Sequence, residues 1–145
     1  MAQVLRSVAT LRISGDDLDP DQITRLLACA PTAAQRKGEN IVGPNGQLGP
    51  IARKGMWRLR AVERQPEDLH GQIAELLSKT TADLEIWKAI ATNYKVDLFC
   101  GIFLQGSNEG LSITPTSLTA LGLRQIELGL DIYDGDKNMA DSDTP

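Results

Sequence analysis

Hydrophobic and polar residues alternate in several short segments of the chain, which is the pattern of half-buried β-strands. Each set of alternate positions along a strand is one parity, and its side chains lie on one face. In the stretch KVDLFCGIFL, for example, Leu98 and Cys100 share one parity with other aliphatic residues, whereas Phe99 has the opposite parity. The alternation predicts five strands, at about residues 5–13, 56–62, 95–104, 111–114 and 126–132.

Apolar residues at three- and four-residue steps predict helices between these strands. Two helix starts have an N-cap residue followed by a first-turn proline, at Asp19-Pro20 and at Thr114-Pro115. Residues 67–93 form a further helical segment, which we expect to break or kink near residues 79–81. The predicted order of elements is therefore βαβαββαβ.

One parity of most predicted strands is polar, which favours a sheet that is covered by helices on one face only. We expect a single-domain α+β open sandwich, with a mixed or antiparallel sheet of about five strands. The domain covers residues 1–134, and residues 135–145 are polar and acidic, which predicts a disordered tail. Residues 32–54 are rich in glycine and proline and lack periodicity, which predicts a long mobile loop.

The composition is typical of a folded protein, with 41% hydrophobic and 23% charged residues. The net charge of -4 makes a phosphate backbone a repulsive neighbour, so we expect no nucleic-acid partner. The sequence contains neither a recognisable secretory signal nor an apolar run long enough to span a membrane. The two cysteines do not form a disulfide framework, so a cytoplasmic protein without a membrane partner is expected.

Chemically active residue types are too sparse to predict catalysis. Cys100 would need a nearby base to act as a nucleophile, and the single histidine, His70, lies at the start of a helix with nothing to join the two. The parity of Cys100 instead indicates a small residue of the core. Cysteine and histidine together supply too few ligands for structural zinc, and the residues after Asp17 lack the glycine and glutamate of a calcium loop. We therefore predict no metal, no cofactor and no catalytic residues, which disfavours an enzyme without ruling one out.

The polar parity of the strands defines an outer face of the sheet. Both phenylalanines of the chain, Phe99 and Phe103, lie on this parity. Arg58, Arg60 and Tyr133 share it. Aromatic residues and arginines on one surface are typical of the core of a protein interface. These residues predict a site for a protein partner or a homodimer, unless the loop or the tail covers them.

The glycine-rich segment at residues 36–54 offers an alternative site, for an anion or another small ligand of a binding domain or enzyme. Four cations flank its glycines: Arg36, Lys37, Arg53 and Lys54. In a glycine-rich phosphate-binding loop, a strand precedes the loop and a helix N-terminus follows it. Here a strand follows the segment instead. The outer face is therefore the favoured site.

Several stretches, in their order along the chain, resemble a known family: ATLRISGDDLDPDQITRLL, PTAAQRKGE, GMWRL, YKVDLFCGIF, LSITPTSL and LGLDIY. They resemble the bacterial family named domain of unknown function 4279, over residues 9–133. The resemblance implies a stand-alone α+β domain and brings no catalytic residues. Some small families of this kind resemble immunity proteins, which bind a toxin, and by analogy of size and charge an inhibitor of this type is one form of the expected binding module.

Overall fold

The computed structural model of the protein describes residues 4–135. Its elements, in chain order, are β1 (Arg6–Gly15), α1 (Pro20–Leu27), β2 (Ala33–Gln35), β3 (Asn40–Val42), β4 (Leu48–Ile51), β5 (Gly55–Arg60), α2 (Leu69–Lys79), α3 (Leu84–Asn93), β6 (Lys95–Phe103), α4 (Pro115–Leu123) and β7 (Glu127–Tyr133).

Five of the strands form one mixed sheet, in the order β2-β5-β1-β6-β7. Neighbouring strands are antiparallel except β6 and β7, which run parallel. The other two strands, β3 and β4, form a separate hairpin. The predicted α+β class, with one domain and a sheet of about five strands, is confirmed.

The helices cover the face of the sheet on which the apolar parity of the strands lies. Leu11 of β1, Trp57 of β5 and Leu98 of β6 are buried in one cluster with Ile73 of α2 and Trp87 of α3. Burial of each such side chain contributes about 1.5–3 kcal/mol to folding. The hydrophobic effect therefore holds the helices against this face and leaves the polar parity on the other side.

The predicted helix starts are also confirmed. The side chain of Asp19 accepts a hydrogen bond from a backbone N–H of the first turn of α1 at 3.0 Å, and that of Thr114 does the same for α4 at 3.2 Å. The helical segment at residues 67–93 is interrupted where expected, since α2 ends at Lys79 and Asp83 caps α3.

Residues 32–54 differ from the predicted long loop, because three short strands lie within them. One strand, β2, extends the sheet beside β5, and the β3-β4 hairpin closes through a tight turn. Gly46 adopts a φ of 78° in this turn, and its N–H donates to the carbonyl of Gly43 at 3.0 Å. Asn45-Gly46 is a hairpin signal, which the surrounding glycines and prolines obscure in the sequence.

The strand predicted at residues 111–114 is absent from the described structure. Leu111 and Ile113 nevertheless pack against the core. The alternation in this segment therefore indicates which side chains face the core, but a strand also needs a neighbour with free backbone N–H and C=O groups.

Residues 136–145, most of the predicted tail, lie outside the described residues. Within residues 4–135, no helix combines the length and the apolar character needed to cross a bilayer.

Candidate functional site

The outer face is the side of the sheet opposite the helices, and strand register arranges its side chains in rows. Two rows carry most of its aromatic and charged groups: Arg6, Phe103 and Tyr133 in one, and Arg58, Arg12, Asp97 and Glu127 in the other. Phe99 lies between the two rows, opposite Thr10 of β1. Phe99 and Phe103 are half-buried and Tyr133 is exposed, so solvent reaches all three rings.

The first row is a continuous stack across three strands. The guanidinium of Arg6 lies 3.7 Å from the centroid of the Phe103 ring. The ring of Phe103 stacks on that of Tyr133, with centroids 4.6 Å apart and planes within 5° of parallel. The Tyr133 hydroxyl donates to Asp131 at 2.6 Å, and this hydrogen bond raises the pKa of Tyr133. The four side chains therefore hold one another in a defined arrangement.

A glycine beneath the stack makes its geometry possible. The Phe103 ring leans over Gly101, where an added Cβ would lie 3.2 Å from the ring. That distance is shorter than an ordinary van der Waals contact. The absence of a side chain at this position therefore lets the ring lie close to the sheet.

The second row is organised by a bidentate ion pair between β1 and β6. Arg12 donates from Nε and Nη2 to the two carboxylate oxygens of Asp97, at 2.8 and 2.7 Å. These hydrogen bonds raise the pKa of Arg12. The same guanidinium lies 4.6 Å from the centroid of the Phe99 ring. A bidentate pair and a cation–π contact thus fix the position of Arg12.

The arginines that stack on the phenylalanine rings are Arg6 and Arg12. Arg58 and Arg60, the arginines of the predicted partner site, share the outer face with them. Register places Arg58 opposite Arg12, and its Nε donates to the Met56 sulfur at 2.8 Å. Parity places all four arginines on the outer face. Which of them meets a ring depends on strand register, which the sequence pattern does not specify.

The alternative site at residues 36–54 has half of its cations already paired. Arg36 contacts the carboxylates of Asp19 and Asp21 at 2.8 and 2.7 Å, and Lys37 lies 3.5 Å from that of Asp16. The other two cations of the site, Arg53 and Lys54, are exposed. The anion site therefore stays a prediction, with its available charge reduced to these two side chains.

Cys100 is buried among the core residues, as its parity predicts. Burial, together with the negative charge of Asp97, raises the pKa of its thiol to about 12. A thiol with this pKa is neutral at physiological pH and is a poor nucleophile. The geometry therefore assigns Cys100 to packing.

Cys29 and Cys100 should differ strongly in reactivity toward a disulfide reagent such as Ellman's reagent at pH 8. A rise in the Cys100 pKa from 9.0 to about 12 lowers its thiolate fraction about a thousandfold, and burial blocks the reagent. We expect the native protein to titrate one thiol, the half-buried Cys29, and the protein in denaturant to titrate both. A Cys29→Ala variant should then show no fast native thiol, whereas two fast native thiols would contradict the burial of Cys100.

His70 and Ser117 meet where the first turns of α2 and α4 come together. His70 Nδ1 lies 2.6 Å from Ser117 Oγ and 3.2 Å from the hydroxyl of Thr114. Ser117 is buried and its hydroxyl also contacts that of Thr114, so the group links two helices. Among residues 4–135, no group of three or more histidine, cysteine, aspartate or glutamate side chains could hold a metal ion.

The fold and the outer face define a small α+β domain with an aromatic and charged sheet surface. The family model described as Domain of unknown function (DUF4279) matches residues 5–135. The chain therefore belongs to this family, as the resemblance of its motifs implies. No curated protein and no solved structure matches the chain.

Proposed function

We propose that this protein is a non-enzymatic binding module that holds a protein partner on its outer face, as an inhibitor of the immunity type does. The observation that supports this proposal is the ordered stack of Arg6, Phe103 and Tyr133 on a solvent-facing sheet surface. Arginine and tyrosine are among the residue types that contribute most to protein–protein affinity.

The side chains of the stack are already held in place, and this favours tight association. Binding usually immobilises side chains at a cost of about 0.5–1.5 kcal/mol each. Phe103 and Arg6 are already held by their mutual contact, and Tyr133 by its ring contact and its hydrogen bond to Asp131. A partner would therefore meet a surface whose conformational entropy is already reduced.

Positive charge without a carboxylate partner on the outer face suggests what kind of surface the partner presents. Arg6 and Arg12 form ion pairs, with Glu63 and Asp97, whereas no carboxylate among residues 4–135 pairs with Arg58 or Arg60. Arginines without a carboxylate partner, on the same face as solvent-accessible rings, complement a partner that combines an apolar patch with acidic side chains. Such a complex should weaken as the salt concentration rises.

The proposal is tested by capture from the lysate of the source organism and by affinity measurement on the captured protein. Phe103→Ser removes the centre of the stack, and we expect it to weaken binding by at least tenfold, or about 1.4 kcal/mol. Leu118→Ser is the matched control, because it removes an apolar and more exposed side chain from α4, outside both candidate sites. We expect this control to bind as the wild type does.

Equal affinity of the wild type and Phe103→Ser for the captured protein would show that the outer face is not the site. The second candidate is a small-ligand or anion site at residues 36–54, supported by the exposed side chains of Arg53 and Lys54. If the wild type binds inorganic phosphate, and the Arg53→Ser, Lys54→Ser double variant abolishes this binding while Phe103→Ser retains it, this candidate replaces the first.

A further inference from the structure

The last strand, β7, is an edge of the described sheet, and half of its backbone groups point away from β6. The carbonyl of Tyr133 accepts a hydrogen bond from the N–H of Leu104 at 3.0 Å, so Tyr133 faces the neighbouring strand. Backbone groups of successive residues alternate between the two edges of a strand. The N–H and C=O groups of Leu128, Leu130 and Ile132 therefore point to the free edge.

The same three residues carry the apolar side chains of β7. Register places them beside Leu98, Cys100 and Ile102 of β6, on the face that the helices cover. Leu128 packs against the core, but Leu130 is 43% exposed and Ile132 is 59% exposed. Two large apolar side chains therefore stay in contact with solvent, although they belong to the core face. They lie next to backbone groups that pair with no strand among residues 4–135.

We propose that β7 pairs antiparallel with β7 of a second copy, with Leu130 opposite Leu130 and Leu128 opposite Ile132. In this register, every residue whose backbone groups point to the free edge meets another such residue. Residues that pair in this way exchange two hydrogen bonds, so the three pairs supply about six. The two sheets become one, and the outer faces of both copies lie on the same side of it.

Side chains agree with this register. On the helix side, Leu130 meets Leu130 of the other copy and Ile132 meets Leu128, so the apolar layer extends across the two-fold axis. On the outer side, Glu127 faces Tyr133 and Asp131 faces Gly129, so no carboxylate lies directly opposite another. The opposite edge of the sheet, β2, is only three residues long and lacks such a stripe. Self-complementarity of backbone and side chains thus identifies a second copy as the occupant of the β7 edge.

The test is the molar mass of the full chain in solution, measured by sedimentation equilibrium from micromolar to several hundred micromolar. We expect the wild type to dimerise and Leu130→Pro to remain monomeric at every concentration. The N–H that proline removes points away from β6, so the substitution breaks no backbone hydrogen bond between β6 and β7. Leu118→Ser, which changes an exposed leucine of α4, is the control and should dimerise as the wild type does.

A variant that should tighten the dimer distinguishes a loss of strand pairing from a loss of folding. Asp131 lies diagonally across the proposed axis from Asp131 and Glu127 of the other copy, so Asp131→Asn should tighten the dimer several-fold. Amide hydrogen exchange on the wild type needs no variant at all: the N–H groups of Leu128, Leu130 and Ile132 should exchange more slowly as concentration rises.

A wild type that stays monomeric throughout this range, or a Leu130→Pro variant that dimerises equally well, would overturn the proposed pairing. So would a dimer that Phe103→Ser dissociates, because the contact would then lie on the outer face. The proposed partner binding is tested separately, since Phe103→Ser changes capture and Leu130→Pro changes molar mass.

Discussion

Gln72→Leu is expected to lower the free energy of unfolding by about 3 kcal/mol, although leucine is similar in size and more apolar. Gln72 is fully buried in α2 and ties this helix to β1 and to the chain after β5. Its Oε1 accepts from the Ser7 hydroxyl at 2.7 Å, and its Nε2 donates to the carbonyls of Ser7 and Val62, both at 3.0 Å. Leucine leaves the Ser7 hydroxyl without its acceptor and Val62 without this donor. Urea denaturation followed by circular dichroism measures the loss.

A double variant distinguishes lost hydrogen bonds from poor packing. Ser7→Ala combined with Gln72→Leu removes both partners of the buried hydroxyl contact. We expect the double variant to lose less free energy of unfolding than the two single variants lose together, by at least about 1 kcal/mol. The reason is that no buried hydroxyl is left unpaired. A Gln72→Leu protein within about 0.5 kcal/mol of the wild type would contradict the role of this network.

Arg12→Met is expected to lower the free energy of unfolding by about 2–3 kcal/mol, a second large effect. The Asp97 side chain is 11% exposed and that of Arg12 is 34% exposed, so the pair is more buried than a surface salt bridge. Methionine retains part of the contact with Phe99 but leaves the Asp97 carboxylate in a desolvated site without its cation. Denaturant unfolding of the wild type, Arg12→Met, Asp97→Asn and the double variant gives the coupling energy of the pair.

Arg6→Met is the matched control on the same face of the sheet. Arg6 also lies over a phenylalanine ring and also pairs with a carboxylate, that of Glu63. That pair is exposed, at 36% and 44%, and exposed pairs contribute at most about 1 kcal/mol. Equal losses for Arg6→Met and Arg12→Met would show that burial of the Asp97 carboxylate does not determine the effect.

Several features of the protein were predictable because they depend on residues a few positions apart. The N-caps at Asp19 and Thr114, the break after α2 and the buried position of Cys100 all follow from local spacing and are confirmed. Residues 111–114 show the limit of local spacing, because their apolar side chains pack against the core as the alternation indicates, yet no strand forms.

The candidate site also combines features that the local pattern predicts with features that depend on tertiary packing. Parity alone places Phe99, Phe103 and Tyr133 on the outer face, where the structure also has them. The stacking of Arg6 on Phe103, and the pairing of Arg12 with Asp97, were not predictable. These contacts join residues far apart in the chain, and their geometry depends on how β1 lies against β6.

Composition, caps and alternation were thus sufficient for the α+β class, the helix starts and the face of each strand. Strand order, the parallel β6-β7 pair and the position of Leu130 and Ile132 at the edge of the described sheet emerge only when distant segments pack together. The physical reason is the two-residue repeat of a strand: sliding one strand by two residues leaves every side chain on its own face. The same slide changes all the cross-strand neighbours. Parity is therefore encoded locally, whereas register is determined by the packing of the whole core.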